Sequence, residues 1–393
     1  MLRSTLFLGA AALSLPLAAI TAAAATAAAA QPTPHDVDVV KIGHVAATSG
    51  AVAYFGKDNE NGARMAVEAL NARGVTIGGR KARFELLAED DAGDPKQATS
   101  AAQKLVDAKV NAVIGHQTSG TSIPASKIYH DNGIAQISPS ATSPQYTAQG
   151  FNTTFRVVSN DKQLGRVLGR YAVDGLAARR VAVIDDRTAY GQGVANEFVK
   201  GLKEAGGTVV GKEFTTDKST EFSAILTKIR AAKPDLVFFG GMSAVAGPML
   251  HQMKQLGFGN TKFVGGDGIC SDEIVKLAQG AVADGQVVCA EAGGVEAKGK
   301  AAIEQFHAAY KKRFGIEVQI YSPYTYDAVM ALADAMVKAG SSAPAKYLPA
   351  LAAIRYPGIT GTIAFDKAGD IRDGTLTVYT FKGGKRSLVA VTR

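Results

Sequence analysis

The chain has 393 residues, 47% of them hydrophobic and 20% charged, and carries a formal net charge of +8. That balance excludes a disordered chain, and the length exceeds one core of ordinary size but suits two domains. Lys and Arg are spread along the chain with no dense basic block, so the charge describes a basic surface rather than a nucleic-acid site.

Met1, Leu2 and Arg3 make a short basic start. An apolar stretch from Leu6 to Ile20, broken only by Pro16, leads into an Ala-rich run over Thr21–Ala30 with many Ala-x-Ala positions. This order predicts a secretory signal peptide over residues 1–30, cleaved between Ala25 and Ala30, rather than a membrane anchor. No Cys precedes Cys270, so no lipidated cysteine is expected at the cleavage site. The exported chain, near +7 without Arg3, is expected free in the periplasm. Cys270 and Cys289 could pair in an oxidising compartment, but sequence does not supply the geometry a disulfide needs. Two Cys and six scattered His make no zinc site, and no metal or cofactor is expected.

From Val37 onward, short β-branched runs alternate with helical patterns. Val37–Val45 reads as a strand and Asn59–Asn71 as a helix, with Ala63, Ala66, Val67 and Leu70 at helical spacing. Phe84–Glu89 is a strand, then Pro95–Lys109 a helix with Asp94 as its N-cap. Strand Ala112–Gly115, helix Ser119–Asp131 and strand Ala135–Ser138 follow. A second block repeats the alternation. Its strands are Val181–Ile184, Thr208–Phe214, Leu236–Phe239, Lys262–Val264 and Val287–Ala290. Its helices are Gly193–Ala205, Phe222–Ala232, Val245–Leu256 and Glu273–Gln279. Such alternation predicts parallel sheets covered by helices, an α/β fold. Helices Ala301–Phe314, Pro323–Ala339 and Ala345–Ala353 come next. The chain ends in strand-like Gly361–Asp366 and Leu376–Val391, with a hairpin turn at Lys382-Gly383-Gly384.

Short catalytic motifs are missing. No G-x-G-x-x-G follows a strand, no Gly-Lys-Ser/Thr marks a phosphate loop, and Gly241-Met242-Ser243-Ala244-Val245 fails as a nucleophile elbow. In parallel α/β sheets ligands bind beyond the carboxyl ends of strands, so the polar residues there carry the function. Strand Ala112–Gly115 runs into His116-Gln117-Thr118-Ser119-Gly120-Thr121-Ser122, which opens a helix and suits an anionic group. Ala135–Ser138 runs into Ser138-Pro139-Ser140-Ala141-Thr142-Ser143-Pro144, a second hydroxyl cluster. Taken singly, each cluster is explained by helix capping; two in succession favour binding. In the second block, Asp185-Asp186-Arg187-Thr188-Ala189-Tyr190-Gly191 follows one strand, and Gly191 and Gly193 permit close backbone approach. Gly265-Gly266-Asp267-Gly268 follows another and offers either a cation partner or a plain Asp-Gly turn. One block thus supplies anion-binding groups and the other an acid, a pairing that one zwitterion would satisfy.

At these residues the chain resembles the periplasmic branched-chain amino-acid-binding proteins that serve ABC transporters, over roughly residues 38–385. The matching stretches include Asp90-Asp91-Ala92-Gly93-Asp94-Pro95, Val113-Ile114-Gly115-His116, Ser138-Pro139-Ser140-Ala141-Thr142, Tyr190-Gly191-Gln192-Gly193 and Gly265-Gly266-Asp267-Gly268. The resemblance implies two doubly wound parallel-sheet lobes joined by three crossovers near Val157–Asn160, Ala290–Gly294 and Thr360–Phe365. Lobe 1 would comprise residues 38–157 and 291–361, lobe 2 residues 158–290 and 362–393. It also implies a monomeric, non-enzymatic receptor that closes on a neutral amino acid and delivers it to a membrane permease. Ser119 would bind the ligand carboxylate, Ser140 would act mainly through its backbone, Ala141 would belong to the same ligand-binding stretch, and Thr142 would act through both hydroxyl and main chain. Tyr190 would pack on the ligand, and Asp267 would take the ammonium where many relatives have Glu. Phe55, which stands beside Tyr54 where the family commonly has Tyr, and Met242, which stands at another aromatic position, would line the side-chain pocket. Gly93 and Thr118 stand where some relatives have a disulfide. Aromatic amino acids, amides and small carboxylates remain open as ligands, and sensing remains open beside transport. The rival enzyme, an exported amidase, would need a nucleophile–base pair, for which His116 near Ser119 is the one tempting case.

Overall fold

A computed structural model describes residues 37–294 and 299–392; the leader expected over 1–30 lies outside the described residues. Apolar β-branched runs form the centre of a first sheet. Its elements, in chain order, are β1 (Val37–Ala46), α1 (Ala53–Arg73), β2 (Thr76–Ile77), β3 (Arg80–Asp90), α2 (Pro95–Asp107), β4 (Ala112–Gly115), α3 (Ser119–Asp131), β5 (Ala135–Ser138) and β6 (Thr154–Arg156). The strand order is β2-β3-β1-β4-β5-β6, with β2 antiparallel and the rest parallel. β4 and β5 are buried along their whole length because helices cover both faces, so their sequences are continuous apolar runs rather than alternating ones. Asp94 caps α2 as expected, its carboxylate accepting from the N–H groups of Lys96 and Gln97.

The chain then builds a second sheet: α4 (Asp161–Asp174), β7 (Arg180–Asp185), α5 (Ala189–Glu204), β8 (Thr208–Phe214), α6 (Ser223–Ala231), β9 (Leu236–Gly240), α7 (Ser243–Gln255), β10 (Lys262–Gly265), α8 (Glu273–Leu277) and β11 (Val287–Glu291). It crosses back for α9 (Lys300–Phe314), α10 (Ser322–Ala339) and α11 (Pro344–Ala352), α10 packing on α1. A two-strand ribbon, β12 (Tyr356–Pro357) with β13 (Thr362–Ile363), precedes the last crossing. β14 (Leu376–Lys382) and β15 (Lys385–Thr392) then complete the second sheet as β15-β14-β11-β10-β9-β7-β8. The turn between β14 and β15 is Gly383-Gly384, both with positive φ, as a two-residue hairpin demands. The fold is therefore α/β with two doubly wound, largely parallel sheets.

Three differences from the sequence reading stand out. β6 and α4 went unread. Only Thr362–Ile363 of the strand expected over Gly361–Asp366 joins a ladder, although Phe365 makes an isolated bridge to Ile371. Cys270 and Cys289, left open above, are joined in a disulfide with 5.3 Å between their Cα atoms. Among the described residues no helix is long and apolar enough to cross a membrane.

Both sheets reverse their winding direction once. In the first, β3 and β4 lie on opposite sides of β1; in the second, β8 and β9 lie on opposite sides of β7. Crevices at such switch points are where α/β sheets bind ligands, and the segments of interest leave the strands there.

Candidate functional site

The first half of the site is two loops fastened together by their own hydroxyls. After β4, Thr118 caps α3 by accepting from the N–H of Thr121, which makes Ser119 the first helical residue. The Ser119 hydroxyl oxygen accepts from the N–H of Ser143 (3.0 Å). Ser140 donates its hydroxyl to the Gln117 carbonyl (2.7 Å), and Ser138 donates to the His116 carbonyl (2.9 Å) while accepting from the N–H of Ala141 (2.9 Å). The Gln117 side chain in turn accepts from the N–H of Ala47 after β1 (3.1 Å). Beneath the second loop lies Arg156 of β6, fully buried, which donates to the carbonyls of Ala141 (2.8 Å) and Ser143 (2.9 Å). The result is a rigid wall of hydroxyls beside the N-terminus of α3, whose first N–H groups have no partner within the helix.

The second half is built around Asp267, which follows β10 in a single 3-10 turn. Its carboxylate is 1% exposed and accepts from two tyrosines, Tyr190 on Oδ1 (2.8 Å) and Tyr321 on Oδ2 (2.7 Å). Burial raises the pKa of Asp267, and the two phenolic donors oppose that rise by favouring the anion. Tyr190 sits in the first turn of α5 and also accepts from the N–H of Gly268 (2.9 Å). The glycines after it are needed for close approach. A Cβ at Gly191 would stand 2.1 Å from Asp186 Oδ1, and one at Gly193 would stand 3.0 Å from Asp161 Oδ2. Tyr321 precedes α10, and Asp58 of α1 fixes its backbone by accepting from the N–H groups of Ile320, Tyr321 and Ser322.

Between the two halves lies a narrow cavity. Six residues named from the sequence line it: Phe55, Ser119, Ser140, Tyr190, Met242 and Asp267. Ala141 and Thr142 are buried beside Ser140 but are not part of the lining. Gln117, Thr118 and Tyr321 complete the wall. The first two belong to a loop already singled out. Tyr321 carries no local signal, since nothing around it marks a residue 54 positions from Asp267 as its partner. Phe55 and Tyr321 pack edge to face at 5.3 Å between ring centres.

His116 is not poised as a base for Ser119. Its Nδ1 is 2.8 Å from Asp91 and its Nε2 is 3.1 Å from the Tyr129 hydroxyl, all three side chains being buried. Both ring nitrogens are thus committed to structure. Among the described residues no group of three or more His, Cys, Asp or Glu could hold a metal ion.

A sequence profile of the periplasmic binding proteins matches residues 39–385. An amino acid binding protein of Pseudomonas aeruginosa is 37% identical over 88% of this chain and 91% of its own length. The leucine-, isoleucine-, valine-, threonine- and alanine-binding protein of the same organism is 34% identical over 87% of this chain and 90% of its own. A leucine-binding protein from Thermotoga maritima, known by crystal structure, superposes with a TM-score of 0.82 at 28% identity, over 90% of this chain and 99% of that one. These relatives are binding proteins rather than enzymes, and the match spans both sheets and the cavity between them. The chain belongs to the periplasmic binding protein family.

Proposed function

We propose that this protein is the periplasmic receptor of an ABC importer and that its cavity takes a neutral L-amino acid of the branched-chain type. One observation carries the reading. A buried carboxylate, held by two tyrosines, faces a hydroxyl wall at a helix N-terminus across a narrow cavity. The ligand carboxylate docks on Ser119, on the backbone of Ser140 beside Ala141, and on the main chain of Thr142. The ammonium takes Asp267, where a charge-assisted hydrogen bond in a water-poor site is strong. Phe55 and Met242 shape the space for the side chain, and Tyr190 closes over it. The polypeptide is exported by its leader, unlipidated, and works as a monomer that presents its closed form to a membrane permease.

The lobes we assign are residues 38–157 with 291–361, and 158–290 with 362–393. The crossing segments run side by side, with the N–H of Ser159 bonded to the carbonyl of Ala292 (2.8 Å) and the Ser159 hydroxyl to that of Thr375 (3.0 Å). Segments so aligned support hinge closure driven by the ligand. Thermal unfolding of the leaderless, ligand-stripped protein against amino acids, amides and small carboxylates tests the reading. A ligand that binds only the folded state raises the melting temperature. The expected shift is with leucine, isoleucine or valine; a shift with simple acids or amides alone would refute the ammonium role of Asp267.

A further inference from the structure

Asp161 is the first residue of α4, and its N–H donates to the Thr142 carbonyl (2.8 Å). The side chain is fully buried. Neither of its oxygens, nor the Thr142 hydroxyl, completes a well-formed hydrogen bond with any of the described residues, although the Thr142 hydroxyl lies close enough to favour the Asp161 anion. Buried polar atoms are rarely left so, and each such atom calls for an explanation. Position supplies one. The would-be Cβ of Gly193 lies 3.0 Å from Asp161 Oδ2 and 3.8 Å from Ser143 Oγ, which places the carboxylate between the hydroxyl wall and the first turn of α5 that carries Tyr190.

We propose that Asp161 is the positioning acid of the cation subsite: with ligand bound it accepts a hydrogen bond from the Thr142 hydroxyl, turning that oxygen's lone pairs toward the ligand's ammonium, and it releases its own proton to solvent as the ammonium docks. This rests on the amino-acid reading above and deepens it. The ammonium keeps its three protons; the carboxylic acid of Asp161 becomes a carboxylate, and the solvent gains one proton.

The surroundings agree with that exchange. Burial chiefly, then the nearby Asp267 and more weakly Glu197 of α5, hold the Asp161 carboxyl well above its ordinary range; the Thr142 hydroxyl and Arg156 of β6 oppose them. Glu197 is itself engaged by Arg166 (3.1 Å) and Lys200 (2.6 Å), and Tyr190 is kept neutral by its own burial. Without ligand, then, its surroundings favour the protonated form of Asp161. An arriving positive charge favours its anion, and the α4 N-terminus helps to hold that anion. Because binding releases a proton, affinity rises with pH while Asp161 remains protonated in the unliganded protein.

Calorimetric titration of leucine into the leaderless protein, in two buffers of different ionisation enthalpy, reads the released proton directly. The expected result is release of a large fraction of one proton by wild type. Asp161→Asn should bind about tenfold more weakly with release abolished and a flat pH profile, as should Thr142→Val. Leucine binding by wild type without proton release overturns the inference while leaving the amino-acid reading intact. Undiminished release by Asp161→Asn, with Asp267 as the remaining source, overturns it as well. If no amino acid binds wild type, the amino-acid reading falls and the inference falls with it.

Discussion

His44 lies within β1, fully buried, and among the described residues neither of its ring nitrogens has a hydrogen-bond partner. Burial pushes its pKa down from 6.5 to about 4. The folded protein therefore keeps this ring neutral while the unfolded chain protonates it. Its stabilising contribution is present above pH 6.5 and is lost as pH falls toward 4, by up to about 3 kcal/mol. Asp186 and Asp327, both raised to about 6, act in the opposite sense, losing stability as pH rises through that value. Comparing His44→Leu with wild type in urea unfolding isolates the histidine: the wild type should fall behind the variant as pH drops from 6.5 to 4, and parallel curves would contradict this. At the cavity, Asp267→Ala removes the proposed partner of the ammonium and should cost about 3–5 kcal/mol, at least a hundredfold in affinity. Ser119→Ala should cost less because the N–H groups of α3 remain. Equal affinities for wild type and Asp267→Ala in calorimetry would remove that acid from the site. Of the eight site residues named from sequence, six line the cavity; Ser119, Ser140, Tyr190 and Asp267 were legible because strand ends and Gly-rich turns flag themselves locally, whereas Phe55 and Met242 came from the family resemblance. Asp161, Arg156 and Tyr321 were not legible, since their partners are distant in sequence or lie beneath a loop.

Among the elements, α4 shows why a helix can hide. Leu164, Leu168 and Ala172 keep the helical period, and Asn160 caps it, yet Gly165 and Gly169 interrupt the pattern. The structure explains them: a Cβ at Gly165 would stand 2.8 Å from the Val194 carbonyl oxygen, and one at Gly169 would stand 2.3 Å from that of Phe198. The glycines let α4 and α5 touch backbone to backbone, a tertiary demand that outweighs helix propensity. The strand β6 hid for a different reason, being only three residues long. The Cys270–Cys289 bridge spans 19 residues and ties the turn after Asp267 to β11. Closing a loop of that length is worth about 3 kcal/mol in the chain-entropy picture. A Cys270→Ser/Cys289→Ser double variant should unfold at correspondingly lower denaturant while keeping its fold, and an unchanged midpoint would show that the bridge adds nothing.

Across the whole molecule, some side chains reach from one sheet system to the other. Arg386 of β15 is one: it donates to the carbonyls of Cys270 (2.9 Å) and of Gln319 (2.9 Å), the latter just before α10. Tyr321 is another, through Asp267. Arg386→Ala should leave the fold intact and weaken ligand binding by about fivefold, on the order of 1 kcal/mol, by loosening the closed form. Small-angle scattering of the variant with and without leucine checks this; a closed, wild-type envelope at unchanged affinity would rule Arg386 out as a latch. Two α/β sheets were legible from strand–helix alternation, whereas the pairing of these long-range partners was not, because no local pattern encodes it. The hydroxyl wall has one more consequence. Ser138, Ser140 and Arg156 are all committed to main-chain carbonyls, and Asp267 to two phenols, so the part of the cavity proposed to read charge is tied into the scaffold. Phe55 and Met242 have no such duties. On the proposed reading, taste for a new side chain can therefore evolve, or be engineered, at those two positions while the test for a zwitterion stays in place.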